Sequence, residues 1–186
     1  FSTFANKGIY IKPQFITRIE DKNGNVLFET IPESHDVLNE DISYAVVKLM
    51  EGVTESGTGS RLGWGGAGFK TYNYRFSNPI AGKTGTTQNN SDGWFMGITP
   101  ELVTGVWVGC EDRAAHFRST ALGQGANMAL PIWGLYMQKV YADRKLNVSK
   151  SDFERPAELN VEIDCSKKSI EEQLSSPGNN ENFDNL

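Results

Sequence analysis

Ala81-Gly82-Lys83-Thr84-Gly85-Thr86-Thr87 sets one ammonium and three hydroxyls among small residues, between a turn at Asn78-Pro79 and a polar loop from Gln88 to Asp92. As a strand, it sends Thr84 and Thr86 to one face and Lys83 and Gly85 to the other. Two hydroxyls two residues apart can hold a carboxylate. The glycine between them lets another backbone come close, and an edge strand offers free N–H and C=O groups to an extended peptide. Lys83 must curl round the strand edge to join them, which its long stem allows.

The flanking text extends a sheet from this strand. Gly93 to Thr99 and Leu102 to Gly109 are hydrophobic runs joined across Pro100-Glu101, the pattern of an antiparallel hairpin lying beside Lys83. Trp94 and Trp107 read as core or inter-layer packing. Upstream, Tyr10 to Asp21 alternates and meets Val26 to Glu29 across Asn23-Gly24, a strong hairpin signal. The expected fold class is α+β. Its antiparallel sheet contains Phe15–Ile19, Val26–Glu29, Ala81–Thr86, Gly93–Ile98 and Leu102–Val108, flanked by helices near Asp41–Met50 and Ile132–Tyr141.

Asn39 can cap the first helix, with Glu40 and Asp41 in its opening turn. Ile42, Ala45, Val46, Leu49 and Met50 form its apolar stripe, and Gly52 is a natural stop. In the second, Ile132, Leu135, Tyr136 and Val140 make a stripe widened by Trp133, Met137 and Tyr141. Pro131 suits a first helical turn, so regular helix is expected from about that residue within Asn127 to Arg144. Phe1 to Lys7 reads as the last turn of a helix, with Gly8 at a positive-φ cap position. Val161-Glu162-Ile163 could add a short edge strand.

The chain has 186 residues, 38% of them hydrophobic, enough for one core. Residues 1–148 are assigned to one domain and 149–186 to a polar, largely disordered tail. A net charge of −5 with no Lys/Arg cluster argues against a nucleic-acid partner. No apolar run reaches the ~20 residues of a membrane span, and no signal peptide opens the chain. Cys110 ends a strand pattern and reads as a free, half-buried thiol; Cys165 sits in the tail, so no disulfide framework is expected. Two histidines far apart, His35 and His116, speak against a metal site, and nothing calls for a cofactor.

Ser56 to Asn78 interleaves glycines with Trp64, Phe69, Tyr72, Tyr74 and Phe76. Gly63 to Thr71 nearly spells a phosphate-binding loop, but Phe69 stands where the pattern needs lysine and no strand precedes it, so a nucleotide site is rejected. The stretch reads equally as a loop near a substrate cleft or as ordinary surface packing.

Lys-Thr-Gly is the third motif of class A β-lactamases and penicillin-binding proteins. Together with Asp92-Gly93-Trp94-Phe95-Met96-Gly97 and Val106-Trp107-Val108-Gly109, the stretch from Ala81 to Thr87 resembles the C-terminal half of the transpeptidase domain of class A (bifunctional) penicillin-binding proteins. The resemblance runs from about Phe4 to about Met137, and includes Gly57-Thr58-Gly59. It implies a serine β-lactamase/D,D-transpeptidase-like fold, present here in part. Lys83 would serve in proton relay and charge stabilisation, Thr84 and Thr86 would hold the terminal carboxylate of a D-Ala-D-Ala stem peptide or a β-lactam, and Thr87 would also belong to the substrate-binding set. The Thr86 N–H would be one oxyanion donor, and Gly85 would keep the cleft wall thin.

The nucleophile such chemistry needs is not found: no serine is followed at the third position by lysine, and no Ser-x-Asn occurs. Ser91-Asp92-Gly93 lies on the wrong side of Lys83 and ends in glycine. The resemblance implies as partners a missing N-terminal half carrying the nucleophile, a glycosyltransferase domain and a membrane anchor, at the extracytoplasmic face of the bacterial cytoplasmic membrane. The activity implied is a D,D-transpeptidase that cross-links peptidoglycan and is acylated by penicillins, with this piece inactive alone. Alternatives are a β-lactamase or D,D-carboxypeptidase of the same fold, or a non-catalytic sensor or scaffold that binds β-lactam or stem peptide.

Overall fold

The computed structural model describes residues 1–63 and 72–163. The Gly/aromatic stretch between Trp64 and Thr71, Cys165 and the acidic end of the tail lie outside the described residues. In chain order the elements are α1 (Ser2–Ala5), β1 (Ile9–Ile11), β2 (Arg18–Glu20), β3 (Val26–Glu29), β4 (Ser34–Asp36), α2 (Glu40–Glu55), β5 (Ala81–Thr86), β6 (Asp92–Ile98), β7 (Val103–Gly109), α3 (Thr120–Gly123) and α4 (Gly125–Ala142). Single 3₁₀ turns lie at Ser60–Leu62 and Gln88–Asn90. The class is α+β, as expected.

Three antiparallel strands, β5-β6-β7, form the central sheet, with Ala81 opposite Ile98, Lys83 opposite Met96 and Trp94 opposite Trp107. Helices cover both faces. Phe95 points to α4, where Trp133 meets it edge to face at 5.2 Å between centroids. Leu62, Ile80, Leu130 and Met137 close this layer. Gly97 on the same face leaves the space that the Trp133 indole fills, so any side chain there would collide with the ring. Ala81 and Ile98 point the other way, into Val47 and Met50 of α2. That second layer stops short: α2 covers only the Ala81–Ile98 end, leaving Trp94 45% and Trp107 44% exposed. The two tryptophans are thus a cross-strand pair on an open face, not core, because no described helix reaches their end of the sheet.

Other expectations are corrected. The single sheet divides: β2 pairs with β3, and β1 pairs with β4, in two separate two-stranded ladders. Pro13, unable to donate a ladder hydrogen bond, lies just past the end of β1, and the second strand begins at Arg18 instead of Phe15, whose side chain is fully exposed. Gly52 does not stop α2, which runs on to Glu55 because tertiary packing outweighs the modest cost of a helical glycine. The buried residues of α2 are Ser43, Ala45, Val47, Met50, Glu51 and Thr54, while Ile42 and Leu49 are exposed. Likewise α4 starts at Gly125 with Pro131 in its interior. Its buried face is Ala126, Ala129, Leu130, Trp133, Met137 and Val140, with Ile132, Leu135 and Tyr136 turned outward. Cys110 is free and exposed, and residues 161–163 form no strand.

Gly8 does adopt positive φ, at 91°, following Lys7 at 55°. From Ser149 the chain returns past the β6–β7 turn and over α2. The Ser149 amide donates to Glu101 Oε2 at 2.7 Å, Phe153 packs onto the Val47–Ile98 cluster, and Glu154 pairs with Lys7. Lys48 of α2 donates to Glu51 at 2.6 Å and forms an ion pair with Asp152 of this strap at 3.7 Å.

Candidate active site

β5 is an edge strand, and its register fixes which backbone groups are free. The Thr87 amide bonds the Asp92 carbonyl at 3.1 Å, and pairing is regular from there to Ala81–Ile98. Alternation of an antiparallel ladder then makes Gly85–Trp94 and Lys83–Met96 the hydrogen-bonded pairs. The N–H and C=O groups of Thr84 and Thr86 consequently face away from β6, toward the open edge.

Lys83 occupies that edge. Its stem starts on the face it shares with Met96, and its Nζ donates to the outward carbonyl of Thr84 at 2.8 Å. The ammonium therefore does curl round the strand edge. Phe1, Lys83, Thr84, Gly85, Trp94 and Met96 line a groove of about 380 Å³ over this end of the sheet.

The two threonines of the strand are held from behind. Thr86 Oγ1 accepts the Gly125 amide at 3.1 Å. This hydroxyl supplies the cap that α4 lacks locally, since Gln124 makes no side-chain cap bond. Gly125 is what allows the approach: a Cβ there would overlap the carbonyl oxygens of both Gly85 and Trp94. Thr84 Oγ1 lies 2.7 Å from Thr58 Oγ1. Thr58 reaches it because α2 ends tightly against the sheet. Buried Thr54 donates to the Ile80 carbonyl, and the amides of Gly57 and Gly59 turn back onto Gly52 and Val53 at 3.0 and 2.8 Å. One turn on, Arg61 donates to Asn127 Oδ1 and, at 3.3 Å, to the Ala126 carbonyl, tying the same loop to the first turn of α4.

Lys83, Thr84, Gly85 and Thr86 thus share one open edge. Thr87 does not join them: its hydroxyl lies 3.0 Å from Ser91 Oγ and accepts the Asp92 amide at 3.1 Å, inside the turn between β5 and β6. Ser91 is 3% exposed and carries the Thr87 contact, so it is no candidate nucleophile. Sequence reading missed Thr58, Arg61 and Gly125. The Gly-Thr-Gly of residues 57–59 was the available signal for Thr58; nothing local marks Gly125 or Arg61. Chemically, the arrangement offers an extended ligand two outward amides, one ammonium and hydroxyl donors on a strand edge, suited to an anionic peptide end.

A model of the penicillin binding protein transpeptidase domain matches residues 1–117. Penicillin-binding protein 1A of Aquifex aeolicus is 35% identical over 170 residues, which are 91% of this chain and 21% of that protein. Penicillin-binding protein 1A of Clostridium acetobutylicum is 31% identical, over 84% of this chain and 17% of that protein. The chain therefore spans about a fifth of the length of these relatives. Among solved structures, PonA1 from Mycobacterium tuberculosis, in complex with penicillin V, is similar with a TM-score of 0.62 and 27% identity, covering 85% of this chain and 39% of that one. Penicillin-binding protein 1A from Haemophilus influenzae, at 22% identity and a TM-score of 0.65 over 84% of this chain and 27% of that one, shares the fold.

Proposed function

Because this chain belongs to the penicillin-binding protein transpeptidase family, we propose that it forms the substrate-edge half of a serine D,D-transpeptidase that cross-links peptidoglycan stem peptides and is acylated by penicillins. The observation that carries this reading is the open edge of β5, where Thr84 and Thr86 turn their amides outward beside the Lys83 ammonium. An acyl donor ending in D-Ala-D-Ala lies along this edge as an added strand. Thr84 and Thr86 hydroxyls hold its terminal carboxylate, and the Thr86 N–H is one of two donors to the carbonyl oxygen as it becomes tetrahedral. Lys83 stabilises developing charge beside them, Gly85 keeps the wall low, and Thr87 is left with the turn.

The attacking serine and its base come from the N-terminal half of the domain, which fits over the open Trp94–Trp107 face and the Lys83 groove. Residues 149–186 follow the domain of residues 1–148, with their start strapped to α2 and the β6–β7 turn. A glycosyltransferase domain and membrane anchor upstream place the enzyme at the extracytoplasmic face of the membrane.

A fluorescent penicillin tests the assignment. The intact protein gains a stoichiometric serine adduct by mass spectrometry and joins D-Ala-ended stem peptides, whereas residues 1–186 alone gain none. Hydrolytic release of the penicilloyl group within seconds would instead mark a β-lactamase. Binding without any adduct in the intact protein would mark a sensor.

A further inference from the structure

The two strand hydroxyls are not equivalent in how their hydrogens are directed. A threonine hydroxyl has one hydrogen to donate and two lone pairs with which to accept. Thr86 Oγ1 already accepts from the Gly125 amide, a group that can only donate, so the Thr86 hydrogen is free for a ligand. Among the described residues no amide donates to the Thr84 hydroxyl. Its Oγ1 faces another hydroxyl, Thr58 Oγ1, at 2.7 Å, and that bond can run either way. If Thr84 donates to Thr58, it presents only lone pairs to the edge and repels an anion. If Thr58 donates, the Thr84 hydrogen is released.

We propose that Thr58 is a positioning residue for the carboxylate site: it donates to Thr84 Oγ1 and so turns the Thr84 hydrogen toward the bound anion, matching what the Gly125 amide does for Thr86. The inference rests on the transpeptidase reading of the strand edge. Strand geometry places the Thr84 and Thr86 hydroxyls about 7 Å apart, a separation that one carboxylate can bridge with its two oxygens. Both hydroxyls then act as donors, as an anion requires. The loop that carries Thr58 is built for a fixed distance. Gly57 and Gly59 wrap the end of α2, Thr54 ties that end to Ile80, and Arg61 ties the loop to the α4 turn that holds Thr86. One rigid loop thereby sets the donor behind Thr84 and steadies the donor behind Thr86.

The test uses Thr58→Val and Thr58→Ser in the intact protein, with acylation by a penicillin and by its methyl ester. Removing the hydroxyl is expected to lower acylation by the free acid about five- to tenfold, the effect of one hydrogen bond that orders an anion-binding donor. Serine at the same position restores it. The ester carries no anion, so its slower acylation is the same in Thr58→Val and wild type. In a Thr84→Val background, Thr58→Val adds nothing further. Equal losses for acid and ester would show that Thr58 only supports the fold, and no loss for the acid would also overturn the inference. A wild type that no penicillin acylates would sink the transpeptidase reading and this inference with it. Should Thr58→Val fold poorly, the acid-to-ester ratio of the Thr58→Ser and Thr58→Ala variants decides the same point.

Discussion

Lys83 Nζ donates to the carbonyl oxygen of Thr84, its own neighbour in the strand, at 2.8 Å. The bond holds an exposed ammonium at the outward edge of β5, over the backbone groups that an added strand would engage. It leaves two of the three ammonium hydrogens for other acceptors.

Lys83 is exposed and fills no packing site, so Lys83→Ala is expected to change folding stability by no more than about 0.5 kcal/mol. Acylation of the intact protein by penicillin should fall by two orders of magnitude or more, as for loss of a charge-stabilising donor at a developing oxyanion. Stopped-flow acylation beside a denaturation curve makes the comparison. An unchanged acylation rate in a normally folded variant would remove Lys83 from its assigned role.

Thr86 serves two partners, and two substitutions separate them. Thr86→Val keeps the β-branched shape but leaves the Gly125 amide without its acceptor. The expected stability cost is about 1–3 kcal/mol, together with weaker binding of carboxylate ligands. Thr86→Ser should recover both. Titration with a D-Ala-D-Ala peptide and urea midpoints for the three proteins check it. Normal ligand binding by Thr86→Val would count against a carboxylate role.

The sequence made the sheet readable because its strands are decided locally. Thr84-Gly85-Thr86, the Trp94 run and the Trp107 run carry their period-2 patterns in the open, and Asn23-Gly24 marks its own hairpin. Helix faces were harder to read. Ile42 and Leu49, or Ile132 and Leu135, are as apolar as the residues that are buried, and only the sheet decides which stripe faces it. The β1–β4 ladder pairs Ile9–Ile11 with Ser34-His35-Asp36, a strand with no hydrophobic pattern. Of the site, Lys83 to Thr86 was legible as a motif. Thr58 and Gly125 were not, because their roles arise from contacts 26 and 39 residues away in sequence.

Gly125 tests how closely α4 must approach the strand. A Cβ on this residue would run into backbone carbonyls of both Gly85 and Trp94, neither of which can turn aside as a flexible side chain could. Gly125→Ala should therefore push the first turn of α4 outward, break the bond to Thr86 and destabilise the domain by about 1–3 kcal/mol. Acylation should fall along with stability, unlike in Lys83→Ala. A melting temperature equal to wild type would mean that the helix and sheet can part there without cost.

Glu51 sets the expected response to pH. It is 2% exposed on α2, and its Oε1 has no hydrogen-bond partner among the described residues. Burial pushes its carboxyl above the usual range, an effect that the bond from Lys48 reduces but does not reverse, while Asp152 and Glu55 add to it. For Lys48, burial opposes the charged form, yet the hydrogen bond and charge of Glu51 outweigh it and hold the ammonium above its ordinary value. The pair thus favours the lysine's charge more than the glutamate's. A carboxyl with a raised folded pKa binds its proton more tightly folded than unfolded, so its contribution is most favourable in acid. That contribution is lost as pH rises from the unfolded value, about 4.3, through the raised folded one. Lys48 behaves separately: its contribution holds through neutral pH and is lost only in the alkaline range. Glu51→Gln keeps an acceptor for Lys48 without a charge to bury. Its melting temperature relative to wild type should therefore rise from pH 4 upward until the raised folded carboxyl has titrated, then stay level until Lys48 titrates. A difference that stays flat or falls across that interval would show that the Lys48 bond, not burial, governs this carboxylate.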